Sequence, residues 1–183
     1  MNWIDQWADD AAGAFEAAAA LAQDAVEPAR FREAMARLGA AVHVITTAGP
    51  AGRTGFTATA VCSVSDQPPM VLVCVNHRTR GTPIIRDNRA FCVNTLGADA
   101  ERIADVFAGR GGADGEARFQ VGEWTTLATG SPVLRSAVVA FDCRTVDMKV
   151  VATHNVFFAA VQAVHIGPPG PALVYHERAY KRV

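Results

Sequence analysis

The sequence has 183 residues, a length that suits one domain with a sizeable hydrophobic core. Half of the residues are hydrophobic and 19% are charged, which is typical of a folded globular protein. The formal net charge of −1 gives no indication of a surface that binds nucleic acid or an anionic membrane. No apolar run reaches the roughly 18 residues that a membrane span needs. The acidic N-terminus also lacks the basic start of a secretory signal.

The four cysteines lie in apolar segments that resemble strands, and none of them forms a C-x-x-C pair. They are Cys62, Cys74, Cys92 and Cys143. We interpret them as reduced thiols in the core, which favours a cytoplasmic location. No group of His, Cys and Asp has the spacing of a zinc site, so no bound metal is expected.

Residues 1–27 are predicted to form an Ala-rich helical arm. Trp3, Trp7, Ala11 and Phe15 recur every four residues and therefore lie along one side of a helix. This helix could pack on the body of the fold. It could equally reach a second copy of the chain, because two exposed tryptophans need a partner surface.

Residues 28–183 are predicted to form the main domain, which begins with a helix at Pro28. Phe31, Met35 and Leu38 form an apolar stripe on that helix, and Gly39 is placed to end it. After this helix the hydrophobic period changes to that of strands.

The predicted strands are rich in β-branched residues and are separated by Gly, Pro and polar segments. They cover residues 42–47, 55–65, 70–75, 90–95, 138–151, 155–165 and 172–175. The strand over 70–75 is apolar on both faces, which predicts a buried central strand. The two long strands are expected to form an antiparallel hairpin. Short helices are predicted over 83–88 and 99–108.

This order of elements predicts a mainly β fold, a closed or split β-barrel with helices outside it. The strands do not alternate regularly with helices, which disfavours a Rossmann sheet. Neither G-x-G-x-x-G nor G-x-x-x-x-G-K-[ST] is present, so any nucleotide must be held in another way.

The predicted strand over 55–65 has two different faces. One face is wholly apolar and carries Phe56, Ala58, Ala60, Cys62 and Val64. The other face carries a row of hydroxyls at Thr57, Thr59 and Ser63. This row could be a solvated strand face. It could also be a ligand platform, on which small residues admit a flat ring and hydroxyls meet its heteroatoms.

A polar cluster at residues 76–79, NHRT, follows the strand over 70–75 without a break. It could be an ordinary polar loop or a phosphate site, since Arg78 offers charge-assisted hydrogen bonds and Thr79 a hydroxyl. Arg80 is a second candidate for the same role. The next helix is expected to start with Thr82 as its N-cap.

Several other polar residues lie within or beside the predicted strands. His154 stands at the junction of the two strands, where a lone histidine is more often structural than functional. Asp142 and Arg144 alternate with apolar residues and are interpreted as a solvated strand face. His43 has no context that supports a function.

These segments, in this order, resemble the short-chain flavin reductase family. The matching segments are FREAMARLGAAVHVITT (31–47), GFTATAVCSVSDQPPMVLVCVN (55–76), FCVNTL (91–96), the turn FAG (107–109), ATHNVFFAAV (152–161) and LVYHERAY (173–180). The second segment is highly specific. The resemblance covers about residues 29–180 and does not include the N-terminal arm.

The resemblance implies a split β-barrel, FMN-binding and Greek-key-like, that usually forms a homodimer. It also implies binding of FMN or FAD and hydride transfer to the flavin from NADH or NADPH. The reduced flavin would serve a partner monooxygenase by diffusion. Two alternatives stay open: a flavoprotein reductase of another acceptor such as a corrinoid, with its flavin kept bound, and a flavin or tetrapyrrole binder without activity.

The resemblance also implies a set of residues that bind the flavin or the nicotinamide. They are Thr57, Ala58, Thr59, Ser63, Asn76, His77, Arg78, Thr79, Phe91, Asn94, Thr153, His154 and Tyr175. Residues 57–59 would line the isoalloxazine and residues 76–79 would hold the ribityl phosphate. His154 would be the catalytic residue that orients the nicotinamide, with Tyr175 beside it. Ala152 stands where the family commonly has Gly.

Overall fold

A computed structural model describes residues 25–183. The predicted helical arm, including its row at Trp3, Trp7, Ala11 and Phe15, lies outside the described residues apart from its last three positions. No helix in the described part of the chain is long and apolar enough to cross a membrane.

The described helices are short and lie between strands. They are α1 (Pro28–Ala36), α2 (Thr82–Asn88), α3 (Glu101–Phe107) and a 3-10 helix (Gly115–Gln120). The strands are β1 (Ala40–Ala41), β2 (His43–Thr47), β3 (Thr54–Ala58), β4 (Val61–Asp66), β5 (Pro69–Asn76), β6 (Ala90–Thr95), β7 (Trp124–Thr126), β8 (Pro132–Leu134), β9 (Val139–Val151), β10 (His154–Ile166), β11 (Leu173–His176) and β12 (Ala179–Arg182).

The main sheet has seven strands in the order β3-β2-β6-β9-β10-β5-β4, and every neighbouring pair is antiparallel. Its two edge strands, β3 and β4, are consecutive in the chain and are joined only by Thr59 and Ala60. The sheet must therefore curl until its edges approach each other, and the Cys74 N–H donates to the Ala60 carbonyl at 3.0 Å. The predicted mainly β, split-barrel fold with flanking helices is confirmed.

The curled sheet corrects the prediction of one strand over 55–65. The chain bends at Thr59 and Ala60, and the alternation of faces does not continue through the bend. Val61 packs against the core after the bend, whereas Cys62 and Val64 are exposed. The uniform apolar face in the sequence is therefore a core face only before the bend.

Within the main sheet, strands β2 and β6 are buried at every residue. They separate two hydrophobic clusters: Val44 belongs to the cluster under α3, and Ile45 to the cluster inside the barrel. The prediction that residues 70–75 form a central strand is wrong, because β5 lies next to an edge and buries only alternate residues. The predicted strand 90–95 and the long antiparallel hairpin of β9 and β10 are confirmed.

The apolar stripe of α1 does not reach the core of this chain. Phe31 and Leu38 are each 58% exposed and Met35 is 47% exposed, so the rest of this chain leaves these apolar side chains largely uncovered. The end of α1 is nevertheless attached to the fold, because the Glu177 N–H donates to the Ala36 carbonyl at 2.6 Å.

Helix α2 begins differently from the sequence-based prediction. Gly81, not Thr82, is its N-cap, and no side chain caps the helix. The Thr82 hydroxyl instead donates to the Asn76 carbonyl at 3.1 Å, which ties the start of the helix to the preceding polar turn.

Asp142 is fully buried, so the prediction of a solvated position is wrong, whereas Arg144 is exposed as predicted. The Asp142 carboxylate accepts the Thr129 N–H at 2.7 Å and also contacts the Thr129 hydroxyl. The loop that carries Thr129 and Ser131 covers this position and supplies the polar partners that a buried carboxylate requires.

All four cysteines are free thiols. Cys92 and Cys143 are buried, and burial together with the charge of Asp142 raises the pKa of Cys143 to about 12. Cys74 is half-buried and Cys62 is exposed, so the prediction of core thiols is wrong for Cys62.

Candidate active site

Two clefts lie beside β3 and meet at Thr57 and Ala108, which line both of them. The larger cleft has a volume of about 690 Å³, within the range of small-molecule sites. It is bounded by β3, the turn before α2, the end of α3 and the loop that leads into the 3-10 helix. We refer to it as the arginine cleft, after Arg53, Arg80 and Arg118 in its wall.

The three guanidinium groups are held in different ways. Arg118 is 18% exposed and donates to the Gly55 carbonyl at 3.0 Å and to the Ala113 carbonyl at 3.2 Å. Arg53 lies over the Phe119 ring, 3.8 Å from its centroid, and forms an ion pair with Glu116 at 3.2 Å. Arg80 is largely exposed and forms an ion pair with Asp114 at 2.8 Å. The cleft therefore has fixed positive charge at its base and a more exposed cation at its rim.

Aromatic packing supports the base of the arginine cleft. The rings of Phe107, Phe119 and Trp124 contact one another with centroids 5.1 to 5.4 Å apart. Phe107 and Phe119 are buried in the cluster under α3. This packing fixes the end of α3 against β3, where the two clefts meet.

The smaller cleft, of about 260 Å³, runs along residues 57–59. The Thr57 hydroxyl donates to the Ala104 carbonyl at 2.6 Å, so it joins β3 to α3 instead of standing free. The three predicted ring-lining residues thus lie together on one cleft wall, as the sequence-based prediction requires.

Tyr175 also lines the smaller cleft, together with Tyr180 and Arg110. A hydrogen bond to Tyr175 raises the pKa of Arg110, which also donates to Asp105 at 3.0 Å. The Tyr180 hydroxyl donates to the same carboxylate oxygen at 3.2 Å, and burial raises the pKa of Tyr180. Tyr175 therefore lies in the same cleft as the predicted ring-lining residues, whereas His154 does not line this cleft.

The polar cluster at 76–79 and the hairpin tip at residues 153–154 are brought together, although they are far apart in the sequence. His154 pairs with Asn76 across β10 and β5. The His77 N–H donates to the Thr153 carbonyl at 3.1 Å, and the Thr153 hydroxyl lies 2.9 Å from His154 Nδ1. His154 is exposed at the tip of the hairpin.

The polar cluster also leads into the arginine cleft. Its last residue, Thr79, lines the cleft, as does Arg80 directly after it. The side chain of Arg78 is exposed and is not among the residues that line either cleft, while its N–H donates to Asn76 Oδ1 at 2.9 Å.

Apart from residues of the polar cluster and the hairpin tip, three predicted ligand-binding residues line neither cleft. Ser63 is exposed on β4, beyond the bend. Phe91 is buried in the barrel cluster. Asn94 is fully buried, where its amide donates to the Val44 carbonyl at 3.0 Å and accepts the Leu134 N–H at 2.7 Å. The Phe91 and Asn94 side chains therefore stabilise the protein interior.

The sequence-based prediction missed Arg53, Arg110 and Arg118. Arg110 lies within a loop with glycines at positions 109, 111, 112 and 115, and Arg118 lies just after it. That glycine-rich stretch is the sequence signal that could have indicated both arginines. Among residues 25–183, no group of three or more His, Cys, Asp or Glu side chains is arranged to hold a metal ion.

The model of the flavin reductase like domain matches residues 35–183, so the chain belongs to this family and the resemblance seen in its motifs is confirmed. FMN reductase (NADH) RutF of Methylorubrum extorquens is 48% identical over 168 residues, which are 92% of this chain and 81% of that protein. The protein of the same name from Serratia proteamaculans is 48% identical over 155 residues, covering 85% and 87% of the two chains.

Solved structures show the same fold. A protein from Haemophilus somnus, provisionally named a flavin reductase, is 43% identical with a TM-score of 0.82, over 86% of this chain and all of the other. BorF, the flavin reductase component of a bacterial two-component tryptophan halogenase, is 26% identical with a TM-score of 0.79, over 86% and 98% of the two chains.

Proposed function

We propose that this chain reduces FMN with NADH and releases the reduced flavin to a partner monooxygenase. The observation that carries the proposal is the junction of the arginine cleft with residues 57–59, in a chain of the flavin reductase family. The relatives named FMN reductase (NADH) favour FMN over FAD and NADH over NADPH.

The donors of the two clefts fit a flavin mononucleotide. Guanidinium groups such as those of Arg80 and Arg118 are suited to bind a phosphate, and the Thr79 hydroxyl adds a neutral donor. Residues 57–59 and the aromatic rings of the smaller cleft offer a narrow, mostly apolar wall to a flat ring. The flavin supplies the hydride chemistry when bound, and the residues of this chain supply position and charge.

The proposal is tested by measuring NADH oxidation by the purified chain with FMN, FAD and riboflavin, and repeating the assay with NADPH. We expect turnover that depends on added FMN and is fastest with NADH. Binding of FMN without NADH oxidation would instead favour a binding protein without activity. Flavin that stays with the chain through gel filtration would favour a reductase of another acceptor.

Replacing Arg80 with Ala is predicted to weaken FMN binding about 10-fold, with less than a 2-fold change for riboflavin, because only FMN carries a phosphate. Arg78→Ala is the matched control, since Arg78 is an exposed arginine two residues away that lines neither cleft. Flavin fluorescence titrations measure both affinities. If Arg78→Ala selectively weakens FMN and Arg80→Ala does not, the phosphate site is the one predicted from the sequence.

Replacing His154 with Ala is predicted to raise the KM for NADH about 5-fold and to change kcat less, because the proposed role is to orient the carboxamide. The role is supported by its position beside the turn that leads into the arginine cleft. Steady-state kinetics at saturating FMN measure both constants. His176→Ala, in the separate small sheet, is the control. Unchanged KM and kcat in His154→Ala would contradict this role.

We also propose a homodimer and a cytoplasmic location. A second copy is supported by the exposed stripe at Phe31, Met35 and Leu38, since apolar surface of this kind is typical of interfaces. The four free thiols support a reducing compartment. Light scattering after gel filtration measures the mass in solution, and a monomer would refute the dimer.

A further inference from the structure

We propose that Asp114 is a specificity-determining residue that weakens the hold of the arginine cleft on the flavin phosphate. The inference rests on the proposed function, because it takes the phosphate of FMN to bind in this cleft. It extends that function by naming a residue of the cleft that opposes phosphate binding.

Asp114 lies between two of the three arginines. Its Oδ2 is 2.8 Å from Arg80 Nη1, and its Oδ1 is 3.5 Å from Arg118 Nη2. The same Oδ1 accepts the Gly115 N–H at 3.0 Å, which fixes the direction of the carboxylate. Gly115 has a φ of +52°, a conformation that glycine adopts without strain. The hydrogen bond from Gly115 thus holds the carboxylate of Asp114, which lines the arginine cleft.

The carboxylate thus occupies a position in which an anionic ligand would meet both arginines. Its side chain is 65% exposed and that of Arg80 is 88% exposed, so this ion pair contributes little stability and exchanges easily. A phosphate that reaches the arginines has to share them with Asp114. Breaking the ion pair does not remove the carboxylate, which is held by Gly115 and repels a phosphate dianion at short range.

This arrangement has a functional consequence for a flavin that acts as a substrate. Without Asp114, Arg80 and Arg118 would bind a phosphate tightly and release it slowly. Asp114 lowers the affinity for the phosphate while the ring-lining wall at residues 57–59 is unaffected. The expected result is faster release of flavin and poorer discrimination of FMN from riboflavin than the arginines alone would give.

The test is to replace Asp114 with Asn, which retains an acceptor for Gly115 and Arg80 but removes the charge. We expect FMN to bind about 5- to 10-fold more tightly, with slower dissociation, and riboflavin to change less than 2-fold. Asp114→Ser is a second variant that keeps a short acceptor. Asp99→Asn is the matched control, because it removes the same charge from an ion pair with Arg182, 3.1 Å long, outside both clefts.

Flavin fluorescence gives the affinities, and stopped-flow mixing gives the dissociation rates. Equal or weaker FMN binding by Asp114→Asn would overturn the inference, and so would equal tightening of riboflavin or an equal effect of Asp99→Asn. Failure of the unmodified chain to bind FMN or oxidise NADH would overturn the proposed function itself. That failure is visible before any variant is made.

Discussion

Replacing Gly55 with Ala is expected to destabilise the protein by about 2–3 kcal/mol, the upper part of the range for an extra carbon forced into a well-packed core. A Cβ on Gly55 would lie 2.7 Å from Phe107 Cε1 and 3.0 Å from the Ile45 carbonyl oxygen. Both distances are shorter than van der Waals contact, so one of the neighbours would have to move.

Neither neighbour of Gly55 is free to move. The Phe107 ring is buried and packs against Phe119 and Trp124, and Ile45 belongs to a strand that is buried on both faces. The added methyl group would therefore displace β3 itself. That displacement shifts the Gly55 carbonyl, which accepts a hydrogen bond from Arg118, so we also expect weaker FMN binding.

Urea denaturation measures the loss of stability, and fluorescence titration measures the affinity for FMN. Gly170→Ala is the control, because an added Cβ at Gly170 meets no atom within 4 Å. It should be neutral or slightly stabilising, since Ala restricts the unfolded chain. A Gly55→Ala protein as stable as Gly170→Ala would show that the core tolerates the methyl group.

The strands that are amphipathic or buried along their whole length could be predicted from the sequence, because hydrophobic period and β-branched content are local properties. The strand 90–95 and the β9–β10 hairpin were found in this way. The bend between β3 and β4 was not predicted, because the alternation of apolar and hydroxyl-bearing residues continues unbroken through Thr59 and Ala60 in the sequence. Only the curled sheet shows that these residues connect its two edges.

A local pattern does not contain information on what covers a residue. Asp142 alternates with apolar residues as a solvated residue would, but the loop with Thr129 folds over it. The stripe at Phe31 and Met35 has the period of a core helix, yet the rest of this chain does not cover it.

Strand β12 was missed for another reason. The tight turn before it is formed by Glu177 and Arg178 with positive φ, where glycine or asparagine would be the usual signal.

The candidate site was predicted in part. Residues 57–59 and Thr79, which the resemblance names because they belong to specific motifs, lie on cleft walls, and their role in flavin binding stays a prediction. The arginines at 53, 110 and 118 stand in segments without such a motif, and an isolated arginine is usually solvated. Their role depends on the path of the glycine-rich loop, which brings Arg118 and Asp114 to β3.

His43 is expected to make the protein less stable in mild acid. It is buried between β3 and β6, with Nδ1 3.0 Å from the Thr95 hydroxyl, and burial lowers its pKa from 6.5 to about 4. At pH values between these two pKa values, the His43 ring is protonated in the unfolded chain but not in the folded protein. The free energy of unfolding therefore falls by about 3 kcal/mol in all as the pH decreases through this window. Above the window, His43 contributes no further dependence on pH.

The contribution of His43 is separated from that of the carboxylates by comparing variants in urea denaturation at about pH 7 and about pH 4. His43→Gln should lose about 3 kcal/mol less between these conditions than the unmodified chain. Thr95→Val removes the hydrogen-bond partner but leaves the ring buried, so it should lower stability at both values of pH and keep the difference between them. If Thr95→Val removes that difference, the hydrogen bond to Thr95 and not burial controls the pKa of His43. Equal pH dependence in His43→Gln and the unmodified chain would show that the ring is protonated in the folded protein as readily as in the unfolded one.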